Sequence, residues 1–129
     1  MKYWKEGDLF DYLKDNYYPD LVKSDNPLSR WDCYSAIHNH RIELKCRTKH
    51  YPDLMIEKKK YVAMLDHCKG TFEIPTYINS TPDGVYRFNL KKFRPRWQVR
   101  NLNKTTHFSQ QHKISKQVGF LKITKADKL

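Results

Sequence analysis

Residues 41–47 read RIELKCR, and the fold turns on how they are read. Arg41, Glu43, Lys45 and Arg47 alternate with Ile42, Leu44 and Cys46. This period-two pattern belongs to a strand that sends charges to one face and apolar side chains to the other. A solvated surface strand has the same look, because Glu and Lys are ordinary surface residues. The neighbouring segments argue for more. RWDCYSAI (30–37) is rich in strand-favouring side chains and HNH (38–40) reads as a turn, so residues 30–47 are predicted to form a β-hairpin. Asp32 then lies toward the open end of that hairpin, on the strand opposite Glu43. Two carboxylates and a carbonyl make a partial shell of the kind Mg²⁺ accepts. A lysine beside such an ion can orient or help deprotonate a water, or stabilise charge developing at phosphorus.

Outward from the hairpin, Leu9, Phe10, Leu13 and Tyr17 recur at helical spacing before Pro19, predicting a helix over about residues 6–17. KSDNPLSR (23–30) collects turn formers and reads as a loop. DLMIEKKKYVAMLDH (53–67) is predicted to be helical, with Leu54, Met55, Tyr61, Val62 and Leu65 on one face, Asp53 as N-cap and Gly70 as terminator. This stretch contains a second Glu-X-Lys, Glu57 to Lys59. On a helix those two side chains point about 200° apart and cannot share a site. Lys58 is expected in the middle of the apolar face, either snorkelling to water or standing beside the active site. PTYINST, PDG and VYRFNL predict a second hairpin at about 75–90, and KISKQVGFLKIT (113–124) alternates like a further strand. The sum is a mixed α/β or α+β domain with a small central sheet flanked by helices.

Within 129 residues, one domain plus a tail is expected. There is no apolar run near the roughly 18 residues a bilayer span needs, and the first residues lack a signal-peptide pattern. A soluble, cytoplasmic protein without membrane contact is the expectation. Cys33, Cys46 and Cys68 are odd in number and suit reduced, buried thiols. His38 and His40 flank a turn and are expected to be solvated, and no cysteine or histidine spacing suits tetrahedral zinc. Nor is there a phosphate-cradling glycine loop or a nucleophile elbow.

Charge is concentrated at one end. Residues 1–90 carry 14 Lys/Arg against 13 Asp/Glu, whereas residues 91–129 carry 11 against the single acid Asp127. Such a basic C-terminal segment implies an anionic partner, nucleic acid above all. In KKFRPRWQVR (91–100), Lys91, Lys92, Arg94, Arg96 and Arg100 are candidates for phosphate contact. Trp97 or Phe93 either stacks on a base or closes the core.

WDC (31–33) followed by IELKCR (42–47) resembles the PD-(D/E)XK nuclease superfamily, whose motif is an acid on one strand and Glu/Asp-X-Lys on the next. The order of elements over about residues 6–90 looks like small phage-encoded members. The resemblance implies a restriction-endonuclease-like core, with Asp32, Glu43 and the Leu44 carbonyl as ligands of Mg²⁺ or Mn²⁺ and Lys45 as the catalytic lysine. It adds Lys60, which precedes Tyr61, as an accessory candidate beside Lys58. Glu6, in the first helix, is set outside the core group. Trp31 stands where the motif's name has proline. The activity implied is Mg²⁺-dependent DNA endonuclease action, structure-selective in the manner of a resolvase, in the host cytoplasm if the chain is phage-encoded; homodimerisation is left open. The alternatives are a catalytically inactive nucleic-acid-binding phage protein on the same fold and a small RNA-binding protein, with DNA preferred to RNA.

Overall fold

The computed structural model describes residues 4–103 and 113–129. Helix α1 (Glu6–Asn16) begins where the Asp8 carboxylate accepts a hydrogen bond from the Lys5 backbone N–H at 2.9 Å. Glu6 and Asp8 place negative charge in the first turn, which the helix dipole favours. Leu9, Phe10 and Leu13 form its buried stripe, and the full burial of Leu9 and Leu13 contributes about 1.5–3 kcal/mol each.

The chain continues as β1 (Val22–Lys23), β2 (Cys33–Ser35), β3 (His40–Cys46) and β4 (Asp53–Glu57), then α2 (Lys58–Cys68). After these come β5 (Ile74–Thr81), β6 (Gly84–Asn89), β7 (Gln98–Asn103), β8 (Lys113–Lys122) and β9 (Asp127–Lys128). A six-stranded sheet runs β1-β2-β3-β5-β6-β9, and a three-stranded sheet runs β4-β8-β7. The fold is therefore mixed α+β. All pairings are antiparallel except β3 with β5, and that parallel pair is joined by the crossover containing β4 and α2. The β2–β3 hairpin turns at Asn39, whose φ of 56° is a left-handed conformation that asparagine tolerates.

The larger sheet has apolar packing on both faces. On one side α1 meets Cys33, Ile42, Leu44 and Ile78. On the other, Tyr61 and Met64 of α2 meet Leu54, Ile56, Tyr77, Phe88 and Leu121. Cys33, Cys46 and Cys68 are free thiols, two of them fully buried. Among the described residues, no helix is long and apolar enough to cross a membrane.

Three expectations need correction. Residues 53–57 form a strand, and the helix starts at Lys58. Leu54 and Ile56 are buried with strand periodicity and pair with Leu121 and Gly119 of β8. Asp53 is accordingly no N-cap; Glu57 takes that position, Lys59 lies exposed on the helix, and Val62 is exposed. His40 is not solvated. Its Nδ1 lies 2.8 Å from the Tyr18 hydroxyl, and burial pushes its pKa down to about 4. The basic residues from 91 onward are no tail either, since in the described part β8 pairs with β4 and β9 with β6. Gly119 shows how closely that part docks: a Cβ there would lie 2.5 Å from Pro95 Cβ and 3.0 Å from the Trp97 ring.

Candidate active site

The hairpin ladder ends with Cys33 opposite Ile42, and Asp32, one residue before β2, lies beside the Ile42–Leu44 stretch of β3. Asp32 is held at three points. Its N–H donates to the Ile42 carbonyl at 2.8 Å, its carbonyl accepts from the Ser24 N–H at 2.8 Å, and its Oδ2 accepts from the Leu44 N–H at 2.7 Å. The residues around it are pinned as well. Arg41 makes a bidentate pair with Glu73 at 2.9 and 3.0 Å while its guanidinium lies over the rings of Tyr34, at 3.7 Å, and Trp31, at 4.5 Å. Along β3, N–H and C=O of one residue point to the same side. The Leu44 carbonyl therefore faces the edge where Asp32 sits, past the last paired residue of β2.

Glu43 and Lys45 share a face, with Ile42 and Leu44 buried on the other. That charged face is an interior one: the Glu43 side chain is only 13% exposed. Burial first, and then the neighbouring Asp32 charge, push the Glu43 carboxyl up to about 8, with Lys60 acting in the opposite sense. Glu43 Oε1 is buried and has no hydrogen-bond partner, although Lys60 Nζ is 3.5 Å away. Lys45 is half-buried; desolvation, reinforced by the Arg47 charge, lowers its pKa, while Glu43 and Glu57 oppose the shift.

Beneath this face the partners are neutral or paired. Arg47 donates to Asn79 Oδ1 at 2.9 Å, to the Met55 carbonyl and to the Tyr77 hydroxyl at 2.9 Å, fastening β4 over β3 and β5. Glu57 pairs with Lys116 at 3.1 Å. Beside Asp32 a cavity of about 180 Å³ opens, lined by Glu6, Phe10, Lys23, Ser29 and Leu44 among others. Burial and the Asp32 charge raise the pKa of Glu6.

Asp32, Glu43, Leu44 and Lys45 thus come together. Of the two accessory lysines, Lys60 reaches Glu43, whereas Lys58 points away to Gln117 Oε1 at 3.4 Å. Glu6, which the motif alone leaves aside, stands beside Asp32. The Arg47–Tyr77–Asn79 network and Glu57 carry no sequence signal, because they meet only when β4 crosses over the larger sheet.

Lys91 and Lys92 form a 3-10 turn, and with Arg94, Arg96 and Arg100 they are exposed. Trp97 is half-buried against Tyr61, with ring centroids 5.2 Å apart, and Phe93 packs edge-on against Phe88. Of the two readings of these aromatics, core closure is the one with contacts behind it. Residues 104–112, which the basic stretch includes, lie outside the described residues.

No family model, curated protein or solved structure matches the chain. The chemistry of the donor set is thus the available test of a metal site. Among the described residues, no group of three or more His, Cys, Asp or Glu side chains is placed to hold one ion. Two carboxylates and a carbonyl still suit Mg²⁺, which keeps several waters and takes few protein ligands. A buried carboxylate oxygen that accepts no hydrogen bond, next to a second carboxylate, also fits a cation better than it fits an empty interior.

Proposed function

We propose that the chain is a Mg²⁺-dependent nuclease of PD-(D/E)XK type that hydrolyses phosphodiester bonds in DNA. The observation that carries this reading is the buried Glu43 Oε1, which accepts no hydrogen bond and lies near Asp32 on the face it shares with Lys45. Asp32, Glu43 and the Leu44 carbonyl would hold Mg²⁺ or Mn²⁺. Once bound, the ion supplies Lewis acidity toward the phosphate and lowers the pKa of a coordinated water. The chain's own residues do the rest. Lys45, made less basic by burial, exchanges a proton at Nζ with the attacking water or holds charge at the phosphate. Lys60 steadies the Glu43 carboxylate. The exposed cations from Lys91 to Arg100 bind neighbouring phosphates.

Glu43→Ala and Lys45→Ala are expected to abolish Mg²⁺-dependent cleavage of linear or branched DNA while leaving DNA binding nearly intact. Full activity in both variants sinks the assignment. One observation favours a second reading, a DNA-binding protein of this fold without turnover. Lys60 Nζ already stands 3.5 Å from Glu43 Oε1, where it competes with a metal ion for that oxygen. Salt-dependent binding with no cleavage at any Mg²⁺ or Mn²⁺ concentration supports that reading. Preference for structured RNA over duplex DNA points instead to an RNA-binding protein.

A further inference from the structure

β8 has neighbours on both sides for only part of its length. Its pairing with β4 ends at Glu57↔Val118, while its pairing with β7 continues from Gln98↔Val118 to Asn103↔Lys113. Beyond Val118 the sheet is therefore a two-stranded ribbon, five residue steps or about 17 Å long. Its surface is unusual for a solvated hairpin. By the register, Val99, which is 67% exposed, shares one face with Asn101, Ser115 and Gln117, all exposed, whereas Arg100 and Ile114 lie on the other face. Two of these polar groups are held in place. The Ser115 hydroxyl donates to Asn101 Oδ1 at 3.0 Å, which ties these two side chains together on the face that carries Val99.

The base of the ribbon adjoins the candidate site. Lys58 Nζ bonds Gln117 Oε1 at 3.4 Å, and Lys60, two residues on, pairs with Glu43. The exposed Arg94 and Arg96 lead into β7.

We infer that the β7–β8 ribbon is an arm that enters the major groove of duplex DNA and touches base edges. This inference rests on the nucleic-acid reading above and adds to it the substrate form and the mode of contact. The major groove of B-DNA is about 12 Å wide and admits a two-stranded ribbon. On the face that carries Val99, Asn101 and Gln117, carboxamide groups meet the adenine edge exposed there, and the apolar side chain meets the thymine methyl. The surrounding cations complement the phosphates on either side of the groove. A-form RNA closes this route, since its major groove is too deep and narrow for side chains to read.

Two measurements on the full chain, in EDTA so that nothing is cut, test the arm. In the first, dimethyl sulfate probes saturated duplex DNA of mixed sequence. Guanine N7, in the major groove, is expected to be protected; protection confined to adenine N3, in the minor groove, or no protection overturns the inference. In the second, Asn101→Ala/Gln117→Ala is expected to weaken duplex binding about tenfold or more with an unchanged salt slope, because neutral side chains release no counterions. Arg94→Ala/Arg96→Ala is expected to flatten that slope by about two, close to one for each phosphate contact. Wild-type affinity in the Asn101/Gln117 variant, or tighter binding of structured RNA, also overturns it. Ribbon-dependent binding by a chain that never cleaves keeps the arm and removes the nuclease; cleavage indifferent to the ribbon does the reverse.

Discussion

Glu43→Gln should make the metal-free protein more stable, and increasingly so as pH rises. In the folded chain the Glu43 carboxyl titrates near 8 instead of 4.5, because burial and Asp32 both disfavour its charge. Between those two values the folded state holds a proton that the unfolded state has released, so stability falls as pH rises through this window. By pH 9 both states are ionised and the cost has reached its limit. Taken at face value the shift corresponds to about 5 kcal/mol, and with relaxation and water entry about 2–4 kcal/mol is expected. Glutamine keeps the shape, can donate to Asp32, and has nothing to ionise. Urea unfolding in EDTA from pH 4 to 9 should therefore show wild type and variant alike near pH 4 and separated by about 2–4 kcal/mol at pH 9. Added Mg²⁺ should offset most of that difference. A ligand at a hundred times its dissociation constant stabilises the wild type by about 2.7 kcal/mol, while the variant, one carboxylate short, gains little. Parallel pH profiles in EDTA would refute the reasoning, because they would mean that Glu43 is not buried beside a second carboxylate.

Two further expectations concern the scaffold. The neutral His40 ring, with its pKa depressed to about 4, contributes stability that is present above pH 6.5 and lost as pH falls toward 4. His40→Gln should remove about 1–3 kcal/mol of that acid-induced loss, as read from urea midpoints at pH 7 and 4.5, and equal losses in both proteins would contradict it. Gly119→Ala should destabilise by about 1–3 kcal/mol, since its methyl meets Pro95 and the Trp97 ring, and an unchanged melting temperature would mean that this segment is not docked on β8.

How much of this could be read from the sequence depended on the distance between partners. β2 and β3 are joined by a short turn, so alternation was enough to read the hairpin and to put Glu43 and Lys45 on one face of β3, with Asp32 near its open end. The second hairpin was legible for the same reason. β4 was not: Leu54 and Ile56 fit a strand, but Leu54 also fits the helical spacing of Tyr61 and Leu65. The partner that decides between them, residues 118–122 of β8, is more than sixty positions away. Counting Leu54 and Met55 into the helix drew its apolar face toward Lys58. With the helix starting at Lys58, its buried residues are Tyr61, Met64 and Cys68, and Lys60, one turn before Met64, is the lysine that meets Glu43. The charged face of β3 read as a solvent face because nothing local announces the crossover that covers it.

The three hydrogen bonds that fix Asp32 have a thermodynamic consequence. One of them comes from the Leu44 N–H, the peptide next to Glu43, so the two carboxylates hang from a single rigid piece of backbone. Their separation is set mainly by main-chain geometry and only secondarily by side-chain torsions. Ordering a free glutamate side chain costs up to about 2 kcal/mol of rotamer freedom. Here that freedom is surrendered when β4 and α2 close over the face that holds Glu43, and a cation arriving afterward finds donors with little entropy left to lose.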